Sequence, residues 1–154
     1  MIQKINMKKI LTGVFLCVAI TCQASVRVNE TSQKCLSEAL FYETNGEPLM
    51  GQIAVGIVIL NRVNAQVATS VCSVVHQRVG KHWQFGYNER KVHSIPLSRR
   101  QYFYGLAEKI LSGETGNFHF PPNILYFNNH SFDKKRYRLF QTIGHQKFYY
   151  RVKY

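Results

Sequence analysis

Glu43 is the residue in this chain whose setting could make a proton donor. Leu36, Ala39 and Leu40 mark one apolar stripe of a helix, and Glu43 falls on it seven, four and three positions further on. A carboxylate at the end of an apolar stripe loses solvation, which disfavours its charged form and raises its affinity for a proton toward the range a general acid needs. Asn45-Gly46 is a left-handed C-terminal cap signal. It cuts the helix just behind Glu43, so the side chain is expected at a cleft edge beside a turn rather than in a sealed core. The competing expectation is a glutamate that snorkels to water or pairs with a Lys or Arg, because structural ion pairs also occupy such positions.

A second acid is hard to find. Apart from its first two dozen residues the chain holds one aspartate, Asp133, and seven glutamates, so a paired-carboxylate glycosidase site has few members to draw on. Glu47 is nearest and would share a face with Glu43 on an unbroken helix. Gly46 and Pro48 break that helix, which predicts a capping or structural Glu47. If no second acid faces Glu43, one carboxylate must act twice and the substrate must supply its own nucleophile. Gln84, inside Trp83-Gln84-Phe85-Gly86-Tyr87, sets an amide among aromatic faces, which suits a sugar ring with an acetamido or hydroxyl rim. A loop pinned into the core by its aromatics is the alternative. His76, His82, His93, His119, His130 and His145 show no metal-site spacing, and Cys72 with His76 is an isolated pair. No serine sits in a nucleophile-elbow context and no Gly-rich phosphate loop occurs, so neither metal nor cofactor is expected.

The elements that must hold these residues read as helices first and strands last. A helix is expected from about Gln33 to Thr44. A second opens at Glu47-Pro48, with Glu47 placed to cap it or to sit against the helix dipole, and its run from Ile53 to Leu60 is apolar all round, the mark of a buried spine. Gly51 and Gly56 would let another element come close to it. Between Asn64 and Ser94 no period survives. Pro96-Leu97-Ser98 starts a third helix, with Ser98 as cap and Tyr102, Leu106 and Ile110 along one face up to Gly113. Asn123 to Phe127, Tyr137 to Thr142 and Lys147 to Val152 read as strands, the last two joined as a hairpin through Ile143-Gly144-His145-Gln146. The expected fold is α+β in one domain.

Length and charge place that domain. Lys4, Lys8 and Lys9 precede the apolar run Ile10 to Ile20, and Cys22-Gln23-Ala24 offers small residues for a signal peptidase. Residues 1–24 are therefore expected to be a cleaved secretory signal, 25–32 a flexible lead-in, and 33–154 the catalytic domain. The alternative is a short anchor that stays attached. No stable membrane insertion is expected after cleavage, since the run is too short for a comfortable span. Cleavage takes three of the 20 Lys and Arg residues and leaves 17 against 8 acidic ones, a formal +9. Such a balance implies an anionic partner, and export favours wall polymer over nucleic acid. Cys35 and Cys72 remain as an even pair in an oxidising compartment, either bridged or as two buried thiols.

Cys35 to Val63, which includes Leu-Phe-Tyr-Glu-Thr-Asn-Gly-Glu and Gln-Ile-Ala-Val-Gly-Ile-Val-Ile-Leu-Asn-Arg, resembles the opening of the SleB/CwlJ-type cell-wall hydrolases, the spore-cortex-lytic family and its periplasmic relatives. Val71 to Gln77, Gln84-Phe85-Gly86 and Ile143 to Tyr149 are similar to its later blocks, in order. The resemblance implies a small lysozyme-like helical core with a C-terminal antiparallel hairpin or sheet. It also implies a peptidoglycan-lytic enzyme of lytic transglycosylase type, acting on the MurNAc-GlcNAc bond of glycan strands, exported to the periplasm or wall, and expected here as a monomer. The family's catalytic glutamate, first Glu of an E-A-R-G-E motif, falls on Glu43, and the second falls on Glu47. This chain departs with Thr44-Asn45 for Ala-Arg, with Gly86 where Ser is usual, and with Trp83 where some relatives carry a third Cys, which leaves Cys35 to pair with Cys72. Gln84, Trp83, Phe85, Gln52 and Tyr126 are the implied sugar contacts. Muramidase hydrolysis, amide cleavage between muramic acid and peptide, and a non-enzymatic basic wall-binding module are the rival expectations.

Overall fold

The computed structural model describes residues 28–89 and 94–152. The signal expected in residues 1–24, the first part of the lead-in and His93 lie outside the described residues. Four helices, α1 (Glu30–Thr44), α2 (Leu49–Asn64), α3 (Val71–Val75) and α4 (Leu97–Leu111), come with two strand groups. β1 (Arg78–Val79) and β2 (His82–Trp83) form a small hairpin, and β3 (Tyr126–Asn128), β4 (Tyr137–Ile143) and β5 (Gln146–Arg151) form an antiparallel sheet ordered β3-β5-β4. The fold is α+β, as the sequence implied.

Helix α1 begins three residues before the expected Gln33, because Asn29 caps it by accepting a hydrogen bond from the Ser32 N–H at 3.0 Å. Its stripe is buried as expected, with Leu36, Ala39 and Leu40 at 0% exposure. It ends at Thr44, and Gly46 takes the positive φ of 98°. Helix α2 is the spine, buried from Gly51 through Gly56 and again at Val58 and Ile59. Gly56 lets α4 come close, since a Cβ there would lie 2.7 Å from Ile110 Cδ1 and push that side chain aside.

Three local expectations change. Pro48 precedes α2 with no side-chain cap bond, so Glu47 does not cap it. Pro96, not Ser98, stands at the cap position of α4, whose buried face is Phe103, Leu106, Ala107 and Ile110, while Tyr102 is exposed. The stretch without periodicity holds α3 and the β1–β2 hairpin. Helix α3 is a single turn, capped by Ser70 and tied to α1 by the disulfide Cys35–Cys72, with Cα atoms 5.3 Å apart. In the sheet, β4 and β5 form the expected hairpin, with a bulge between Leu139 and Gln141 that leaves Phe140 to pack edge-on against Phe120.

Candidate active site at the α1–α2 junction

The end of α1 is fixed by the β4–β5 turn, 98 residues away in sequence. The His145 N–H donates to Glu47 Oε2 at 2.9 Å, and His145 Nδ1 lies 3.2 Å from Glu47 Oε1. One residue on, Gln146 is buried and its Nε2 donates to the backbone carbonyl of Glu43 at 3.1 Å. Gly144 has φ +60°, and a Cβ on it would overlap Glu47 Oε2 and come within 2.6 Å of Pro48 Cδ. The turn therefore needs glycine twice, for its left-handed backbone and for the carboxylate lying against it. Gln52 braces the same junction. Its Nε2 donates to the Glu47 carbonyl at 2.8 Å and its Oε1 accepts from the Tyr102 hydroxyl at 2.8 Å.

Glu43 stands half-buried on the last turn of α1. Two neighbours respond to its charge. Arg62, at the end of α2, is 8% exposed. Burial pulls its guanidinium down from the usual value, while Tyr126, Glu43 and Tyr137 favour the cation and offset that loss. Arg62 Nε donates to the Leu125 carbonyl at 2.7 Å, and its guanidinium lies 5.5 Å from the Phe85 ring centre and 5.9 Å from that of Tyr126. These rings and the carbonyl make an interior cation tolerable. Tyr87 is the second neighbour. Burial first, then the charges of Glu38 and Glu43, push its hydroxyl far above the usual phenol range. Its ring stacks on Tyr42 with centres 4.9 Å apart. The hydroxyl has no well-formed hydrogen bond among the described residues. Asn88 lies near enough to ease its ionisation slightly, but the Asn88 amide nitrogen is already given to the Val75 and Phe85 carbonyls.

Arg62 also lines a groove of about 380 Å³, together with Gln77, Gln84, Leu125, Tyr126, Tyr137 and Arg151 among others. Two of the expected sugar contacts, Gln84 and Tyr126, thus share one wall. The other three do not reach it. Phe85, expected at the sugar, is 1% exposed and packs against Tyr87 and Phe127, which places it in the core beneath Arg62. Trp83 is half-buried on β2, with the Arg78 guanidinium 4.5 Å over its ring. Gln52 has both amide ends engaged at the junction, which makes it a brace. Glu47 is held by the His145 N–H and ring rather than capping α2, with a side chain only 10% exposed.

Sequence reasoning gave Arg62 no part. The signal was there in Asn61-Arg62, a polar pair following the apolar run from Ile53 to Leu60: Asn61 Nδ2 donates to the Pro121 and Ile124 carbonyls at 2.9 and 3.1 Å, beside the Arg62 bond to Leu125. Tyr137 and Arg151 were likewise missed, because strand pairing across the hairpin is what brings them to the groove.

Against known proteins, no curated relative and no solved structure matches. A family model described as Cell Wall Hydrolase matches residues 46–149, which include Glu47, Arg62, the groove residues Gln84, Tyr126 and Tyr137, and the turn at Gly144. The match begins three residues past Glu43, so α1 lies outside it. Since it spans more than half of the 154 residues, the chain belongs to the cell wall hydrolase family.

Proposed function

We propose that the protein is an exported, periplasmic or wall-associated enzyme that cuts the glycan strand of peptidoglycan between N-acetylmuramic acid and N-acetylglucosamine, with Glu43 as its single catalytic carboxyl group. One observation carries the reading: Arg62 both lines the groove that holds Gln84 and Tyr126 and interacts with the charge of Glu43. Glu43 protonates the glycosidic oxygen while positive charge develops on the muramyl ring, and the glucosamine leaves carrying that proton. The negative charge left on Glu43 is met by Arg62, in surroundings where such an interaction is stronger than in water. The carboxylate then takes the proton of the muramyl C6 hydroxyl as its oxygen closes a 1,6-anhydro ring, which returns Glu43 to its starting state.

A single carboxylate is consistent with the commitment of Glu47, the nearest other acid in sequence, to His145. Gln84 and Tyr126 hold the sugars, while Gln52 and Phe85 keep the frame. The high formal charge, +9 once residues 1–24 are removed, concentrates the enzyme on anionic wall. Product masses from purified sacculi test the reading. Anhydro-muramyl ends are expected. Reducing muramyl ends would assign a muramidase instead, and free stem peptides an amidase.

A further inference from the structure

Beside the groove at Arg62 lies a larger hollow of about 880 Å³, lined by Asn123, Leu125, Tyr126, Arg136, Tyr150, Arg151 and Val152. The two share Leu125, Tyr126 and Arg151, so they form one trench that passes over Tyr126. Among the described residues, no Asp or Glu lines either part. The cations in the trench differ in how far they are already engaged. Arg62 is buried and bonded to Leu125, with the Phe85 and Tyr126 rings about it. Arg151 is exposed, and no acidic side chain among the described residues pairs with it. Arg136 meets Asp133 only at 3.9 Å, with both side chains more than half exposed, a contact of little energy.

Backbone pairing brings the two exposed arginines to the same end of the sheet. Tyr137 pairs with Arg151 across β4 and β5, and the Val152 N–H donates to the Arg136 carbonyl at 2.9 Å. Tyr126 and Tyr137 stand edge to face beside them, 5.0 Å between ring centres. Two forked cations over an aromatic floor, with no acid in the wall, fit carboxylates carried on a short peptide better than they fit an uncharged sugar.

We propose that this outer part of the trench binds the carboxylates of the stem peptide borne by muramic acid, so that the enzyme prefers stem-bearing strands to bare glycan. The proposal rests on the glycan-cleaving reading, and binding tests it apart from lysis. Affinity is measured on the Glu43→Gln protein with fluorescent glycan oligomers of equal length, either stem-bearing or stripped of their stems by an amidase. The added substitution Arg136→Gln, at the arginine that lines only the outer hollow, is expected to weaken binding to stem-bearing oligomers about fivefold and leave binding to stripped ones unchanged, with the melting temperature held. Capping the stem carboxylates as methylamides should cause at least that loss without the substitution, and no further loss with it. Equal weakening on both oligomers, no weakening, or displacement by a glycerol-phosphate polymer as effective as displacement by free stem peptide would overturn the proposal. None of these outcomes depends on whether Glu43 cuts the strand.

Discussion

Replacing Gly144 with alanine is expected to release the turn that fixes the α1–α2 junction. Alanine in the left-handed region costs about 1 kcal/mol. Its Cβ would also overlap Glu47 Oε2 and lie 2.6 Å from Pro48 Cδ. Pro48 cannot swing aside, so the carboxylate must leave the His145 N–H, a charge-assisted bond worth about 1.5–3 kcal/mol. With the Glu47 side chain only 10% exposed, the displaced oxygen has little water to turn to. The sum, about 2.5–4 kcal/mol, corresponds to a melting temperature lower by roughly 8–15 °C in a domain of this size. Differential scanning fluorimetry reads that loss. Lysis of sacculi, assayed well below the melt, should fall about tenfold, because the same turn holds the Glu43 carbonyl through Gln146. Glu47→Gln keeps an acceptor for the His145 N–H and should cost about 1 kcal/mol. A Gly144→Ala protein that melts within 2 °C of wild type and lyses normally would refute the idea that the turn holds the junction.

Other expectations follow from single contacts. Arg62→Met removes the cation beside Glu43 and the bond to Leu125, and should lower the rate of lysis about a hundredfold, with partial return in Arg62→Lys. Removing Cys35 and Cys72 together frees a loop with a separation of 37 residues and should cost about 4 kcal/mol by chain entropy, read as a melting shift that reducing agent reproduces in the wild type. Tyr87 has a folded-state pKa raised above its ordinary 10.0, so its contribution to stability is whole below pH 10 and is lost as pH rises beyond it. Tyr87→Phe should flatten this alkaline decline and leave neutral stability equal or higher, since the hydroxyl lacks a well-formed bond.

What the sequence revealed came from local signals. The α1 stripe needs only Leu36, Ala39 and Leu40 at helical spacing, the α2 spine only an unbroken apolar run, and the β4–β5 hairpin only a glycine turn between β-rich segments. What it hid came from long-range pairing. Glu47 looked like a helix cap because Pro48 follows it, but its partner lies in a turn 98 residues on. Phe85 looked like a sugar platform because aromatics surround it in sequence, whereas the core claims it once Phe127 and Arg62 arrive from other elements. Helix α3 is a single turn of mostly β-branched residues, too short to show a period, and a cap and a disulfide hold it in place. An arginine near the end of a helix reads as solvated, and only the fold shows that Arg62 is buried and lines the groove.

Glu43→Gln tests the central claim most directly, because it removes the transferable proton and keeps size and shape. Purified sacculi are incubated with wild type and variant at equal concentration, with turbidity followed and bound protein measured by sedimentation. The variant is expected to bind as wild type does and to lose at least 99% of the lytic rate, on the order of the loss for deleting a general acid. Lysis by Glu43→Gln at the wild-type rate would contradict the role given to this residue, and absence of lysis in both proteins despite binding would leave a wall-binding module instead of an enzyme.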